Sequence, residues 1–95
     1  MNLYRAQYTH SFKKQLKKVL KQPGHSREDI ARVINLLIQN APLPSIYNDH
    51  KLKGDYEGHR ELHVKPDWIL IYRINDNLLV LTIVATGSHA DVFGM

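Results

Sequence analysis

Ninety-five residues with 43% apolar side chains and no cysteine leave room for one domain, expected over 1–95, and exclude disulfides, thiolate chemistry and Cys-ligated zinc. The formal net charge is +4, and ahead of Gln39 eight Lys and Arg face only Glu28 and Asp29, so a polyanion or an acidic protein is the expected partner. No apolar run is long enough to span a bilayer and the first residues lack a signal-peptide pattern, so a cytoplasmic protein with no membrane partner is expected.

Leu3 to Tyr8 alternates in polarity, which predicts a short strand. Thr9 or Ser11 can cap the helix that follows, expected to run to about Lys21. Its apolar stripe is Phe12, Leu16, Val19 and Leu20. Lys13, Lys14, Lys17, Lys18 and Lys21 cover the rest. Three of their pairings are like charges four residues apart, each costing about 0.2–0.5 kcal/mol, which points to an anion bound there.

Ser26 opens a second helix, with Asp29 at the capping-box position and Ile30, Val33, Ile34, Leu37 and Ala41 as its buried face. Asn40 and Pro42 stop it. Leu43 to Gly58 has no strong period and reads as a loop. Three strands are then expected, at His59–Val64, Trp68–Ile74 and Asn77–Ala85, joined by short turns into an antiparallel meander. The order β-α-α-β-β-β predicts an α+β fold, a mostly antiparallel sheet with both helices on one face.

Six histidines are present, and imidazole is the side chain suited to proton transfer near neutrality. His50, His59, His63 and His89 lie in the C-terminal half with Asp67 among them. Strand alternation puts His59, Glu61 and His63 on one face and Arg60, Leu62 and Val64 on the other. Several imidazoles, a carboxylate and a basic surface suit RNA cleavage by internal attack, in which a base takes the 2′-hydroxyl proton and an acid protonates the leaving 5′-oxygen. The nucleophile belongs to the substrate, so neither metal nor cofactor is expected. No HExxH occurs, and no H-x3–5-H spacing falls among His50, His63 and His89. His10, His25 and His59 are expected to be structural.

The blocks Asp49-His50, Leu52-Lys53-Gly54, the run from Gly58 to Tyr72, and Thr86-Gly87-Ser88-His89 followed by Phe93-Gly94 resemble the YafQ-type toxins of the RelE superfamily. The resemblance covers nearly the whole chain. It implies a microbial-ribonuclease-like fold and cleavage of mRNA in the ribosomal A site. It also implies inhibition by a cognate antitoxin of the DinJ or RelB kind, and repression of operator DNA by the two proteins together. His50, His63, Asp67 and His89 match the family's acid–base residues. One division makes His50 the base and His89 the acid, with His63 and Asp67 orienting or sharing those roles. Trp68 and Phe93 match its aromatic positions. Glu61, Lys51 and Lys53 are further expected substrate contacts, and the lysines of the first helix are expected to meet ribosomal RNA. Trp68 also has a plain alternative role, packing at the start of a core strand.

The sequence departs from the family at Ala85, where an arginine usually precedes the Thr-Gly-Ser-His block. Loss of such a phosphate-binding donor typically costs about 10²–10³ in rate. Arg60 is expected to point away from the site, and Lys51 and Lys53 to compensate in part. Three explanations stand: an engineered substitution that makes a toxic chain expressible, favoured because the rest of the site is intact; natural attenuation; or another cation in the arginine's place. Two further readings compete with the ribonuclease: an antitoxin-bound co-repressor, and a general nucleic-acid-binding domain.

Overall fold

The computed structural model describes residues 3–94; residues 1, 2 and 95 of the expected domain lie outside the described residues. Strand β1 (Arg5–Tyr8) leads into helix α1 (His10–Val19), and α2 (Arg27–Ile38) follows. A two-residue strand β2 (His50–Lys51), then β3 (Arg60–Lys65), β4 (Trp68–Asn75), β5 (Val80–Gly87) and a last helix α3 (His89–Phe93) complete the chain. No helix among the described residues is long and apolar enough to cross a membrane.

Both long helices begin where their caps predict. Thr9 Oγ1 accepts from the Phe12 amide at 3.0 Å, and Ser26 Oγ from the Asp29 amide at 3.2 Å. The first helix ends at Val19, two residues before the expected Lys21. Its four lysines, and Lys21 just beyond it, are exposed. Asn40 leaves the second helix at φ 52, a conformation that asparagine tolerates, and Pro42 keeps the chain from re-entering a helix.

The sheet order is β1-β5-β4-β3-β2. The meander β3-β4-β5 is antiparallel as expected, whereas β1 pairs parallel with β5, Arg5 opposite Val80 and Tyr8 opposite Ile83. The third meander strand starts at Val80 rather than Asn77. Asn75 Oδ1 accepts from the Leu78 amide and Leu79 adopts φ 53, so the turn takes the four residues from Asp76 to Leu79. That strand also runs on through Thr86 and Gly87. The expected loop contains β2, paired with β3 through His50–Glu61 and Lys51–Arg60, and 3₁₀ turns at Ser45–Tyr47 and Gly54–Tyr56.

Helices α1 and α2 cover one face of the sheet. Phe12, Val19, Ile30, Val33 and Leu37 pack there against Leu62, Trp68, Leu70, Tyr72, Leu81 and Ile83. A smaller cluster, Ile69, Ile71 and Ala85, faces the other way and is partly covered by Leu52, Tyr56, Val92 and Phe93. Tyr72 and Ile71 are neighbours on β4 yet belong to different clusters, as strand alternation requires. A register shift between Ile71 and Tyr72 places Val84 as an extra residue in β5, which brings Ala85 onto the outer face.

Candidate functional site

Registers across the outer face align one row of residues, His50–Glu61–Ile71–Ala85, and beside it a second, His63–Ile69–Gly87. His50, Glu61 and His63 therefore stand together on two adjacent strands. His89 joins them from the first position of α3, whose cap Ser88 accepts from the Asp91 amide at 3.0 Å. The chain after the last strand is thus a short capped helix, and that helix aims His89 at the sheet.

Glu61 is the hub. Its side chain is only 4% exposed; His50 Nε2 lies 2.7 Å from one carboxylate oxygen and His89 Nε2 lies 2.6 Å from the other. A ring nitrogen so close to a carboxylate oxygen requires a proton between them. His50 Nδ1 donates to the Asn48 carbonyl at 2.8 Å, and a carbonyl can only accept. The Asn48 carbonyl and Glu61 thus fix the His50 ring from both sides. His63 lies between the two other rings, with centroids 6.3 Å from His50 and 5.5 Å from His89. Its Nδ1 is buried without a partner, and Glu61 Oε1 has no well-aligned hydrogen-bond donor despite the nearby His89. Buried polar atoms with spare bonding capacity are uncommon in finished cores.

Asn48 was not foreseen. It adopts φ 47, and its carbonyl orients His50. The local signal is the Asn-Asp-His run, since asparagine favours such left-handed turns. Next to it, Asp49 turns inward. Arg60 Nε donates to Asp49 Oδ1 at 2.7 Å and the Tyr72 hydroxyl donates to Oδ2. Burial first, then the Asp49 carboxylate, pushes the Tyr72 phenol well above the usual tyrosine range. Arg60 thus lies on the helix-side face, as the alternation predicts.

Several expected site residues lie elsewhere. Trp68 has no exposed surface; its Nε1 donates to Thr86 Oγ1 at 2.8 Å and its ring stacks on His25 with centroids 4.4 Å apart. It therefore packs in the core and cannot touch a substrate. Asp67 has a side chain 80% exposed and 3.9 Å from His25 Nε2; it is not drawn into the cluster around Glu61. Lys51 and Lys53 line a separate cleft with Arg60 and Asp76, because Lys51 alternates away from His50. Phe93 is half-buried, edge-on to Tyr56 at 5.1 Å and stacked near His89 at 5.8 Å. Lys18 reaches Asp91 of α3 at 3.8 Å, which places that lysine of α1 near the rim of the cluster. His25 and His59 have structural neighbours, the Val19 carbonyl and the Tyr56 ring respectively.

Folding brings together a ligand set that sequence spacing does not announce. Glu61, His63 and His89 can each offer one ligand atom within 4.8 Å of the others, and two imidazoles with a carboxylate suit zinc or copper.

The model of the bacterial type II toxin–antitoxin toxin YafQ matches residues 4–94. The chain belongs to the YafQ family of toxins. It is 42% identical to the mRNA interferase toxin YafQ of Escherichia coli K12 over 90 residues, 93% of this chain and 94% of that one. The E. coli DinJ–YafQ complex contains a chain that superposes with a TM-score of 0.83 at 37% identity, covering 96% of this chain and 99% of that one. A metal-bound toxin from Helicobacter pylori superposes with a TM-score of 0.85 at 35% identity, covering 96% and 99%. The YafQ fold is the α+β arrangement the residue pattern predicts, with a mixed five-stranded sheet. At the position before Thr86-Gly87-Ser88-His89 this YafQ-family chain has Ala85, 7% exposed and next to Ile71 in the row that carries Glu61.

Proposed function

We propose that this chain is an endoribonuclease that cuts mRNA in the ribosomal A site by metal-independent acid–base catalysis, slowed by the absence of an arginine at position 85. The observation that carries this reading is the buried Glu61 carboxylate held between His50 and His89, with His63 beside them. The reaction needs one group that accepts the 2′-hydroxyl proton and one that supplies a proton to the departing 5′-oxygen. His50 and His89, on either side of Glu61, are the proposed acid–base pair. Glu61 orients both rings. Asp67 and Trp68 carry no proton in this scheme, and Phe93 remains a stacking surface for a base.

The relative crystallised with DinJ supports a cognate antitoxin for this chain, whose segment would cover the histidine cluster. The exposed lysines of α1, with Lys18 at the rim, are the proposed contacts to ribosomal RNA. Toxin and antitoxin together are proposed to bind operator DNA. A metal held by Glu61, His63 and His89 would act as a Lewis acid there. It would also occupy the lone pairs that the proton transfers use, so added zinc is expected to inhibit.

The test is mRNA cleavage on programmed ribosomes, mapped by primer extension, for this chain and for Ala85→Arg. Cuts in the A site, stronger with arginine, support the proposal. No cut by either chain overturns it and favours the alternative of a catalytically silent, antitoxin-bound co-repressor, for which Ala85 is the argument.

A further inference from the structure

The outer face of the sheet continues past the Glu61 row. Two residues beyond Ile71 on β4 stands Arg73, and its row runs Arg73–Thr82–Gln7. The next is Asn75–Val80–Arg5. Tyr72 and Ile74 pack on the helix side, so Arg73 and Asn75 must face outward with Ile71. Arg5 and Arg73 are exposed. Among the described residues neither forms an ion pair. Together with Gln7, Asn75, Asn77 and Thr82 they line a cleft of about 710 Å³. One carboxylate borders it, Asp76, and its Oδ1 already accepts from the Tyr4 hydroxyl at 2.5 Å.

The other nearby cations are committed elsewhere. Arg60 is bound to Asp49 behind the sheet, Lys51 and Lys53 line an adjoining cleft that meets this one at Gly58, Ile74 and Asp76, and Lys18 faces Asp91. Arg73 is the outward-facing guanidinium of the central strand β4, about 7 Å along it from Ile71 at the usual strand rise. A guanidinium offers several fixed donors that suit phosphate oxygens, and the amides and hydroxyl around it are also donors.

We propose that Arg73, with Gln7 and Arg5 beyond it, forms a phosphate-binding track that continues from the histidine cluster and holds the RNA strand beside the scissile bond. The inference rests on the ribonuclease reading and gives that site a substrate path. RNA is favoured over an acidic protein segment because the track is continuous with the Glu61 row and is lined mainly by polar side chains, with Ile74, Leu78 and Val80 as the apolar ones.

The experiment measures affinity of the full chain for 70S ribosomes programmed with an mRNA whose A-site codon is 2′-O-methylated, which blocks cleavage, across a salt series. Arg73→Gln is expected to weaken binding about three- to tenfold and to reduce the log–log salt slope by roughly 0.7, the increment for one contact to a single strand. Arg5→Gln should act in the same direction, and Arg73→Lys should restore the slope. Unchanged affinity and slope in Arg73→Gln, with the parent chain binding normally, overturns the track alone. A loss of antitoxin binding with ribosome binding intact also overturns it and assigns the face to the antitoxin. If the parent chain does not bind programmed ribosomes, the ribonuclease reading falls, and the track with it.

Discussion

The two faces of the sheet use the same strands for opposite ends. On the helix side, polar groups have their partners: Tyr72 and Arg60 share Asp49, and Trp68 donates to Thr86, which donates on to the Ile69 carbonyl. On the outer side, polar groups keep spare capacity: Glu61 Oε1 lacks an aligned donor and His63 Nδ1 has no partner. Glu61 and Leu62 are adjacent and both buried, yet one meets two imidazoles and the other the apolar core. Satisfied polar contacts stabilise a fold, while unsatisfied ones hold bonding capacity ready for a ligand. The helix-side face is therefore expected to govern stability and the outer face activity.

The comparison can be broken from either side. The largest effect is expected at Trp68: Trp68→Ala should cost about 3–5 kcal/mol by loss of packing, read as a shift in the denaturant midpoint. A cost below about 1 kcal/mol would return Trp68 to the substrate side. Ala85→Arg should raise A-site cleavage about 10²–10³-fold, or roughly 3–4 kcal/mol of transition-state stabilisation, with the unfolding midpoint nearly unchanged. Equal cutting by the two chains would mean that the missing donor is already replaced.

Glu61→Gln sharpens the division further. In the Ala85→Arg background it should lower the cleavage rate about 10²-fold, the low end of the range for acid–base groups, while changing stability by under about 1 kcal/mol. A large stability loss without a rate loss would make Glu61 a structural residue. Glu61 also shows what alternation can and cannot reveal. Its face was legible from the period-two pattern of β3, as was the outward turn of Arg60 from that face. That it would be buried between His50 and His89 was not, because those histidines arrive from β2 and α3, eleven residues before it and twenty-eight after it in the chain.

The smallest effects are expected at Tyr72. Tyr72→Phe should cost about 1 kcal/mol, since it leaves one carboxylate oxygen of Asp49 without its phenol donor. The phenol is raised above its ordinary value of 10.0 by burial and by Asp49. In the unfolded chain Tyr72 ionises near pH 10, while in the folded chain it stays protonated to higher pH. Its contribution is thus fully present below pH 10 and lost as the pH rises toward the folded value. Tyrosinate absorbance near pH 11 should be the same in Tyr72→Phe as in the parent. A smaller amplitude in the variant would place Tyr72 in water.

Local chemistry in the sequence determined a good deal by itself. The two helix caps depend on contacts three residues apart, the helical and strand faces follow from periodicity, and the histidine-rich C-terminal half and the vacancy at Ala85 can be read off directly. Tertiary structure decided the rest. The parallel pairing of β1 with β5 joins segments more than seventy residues apart, and no local pattern encodes a partner at that distance. The same folding withdrew Trp68 into the core, left Asp67 beside His25, and carried Lys51 and Lys53 to another cleft. It also assembled a possible metal triad from residues with no ligand spacing in sequence. Alternation assigns a side chain to a face, but which neighbours share that face depends on strand order and register, set by packing over the whole chain.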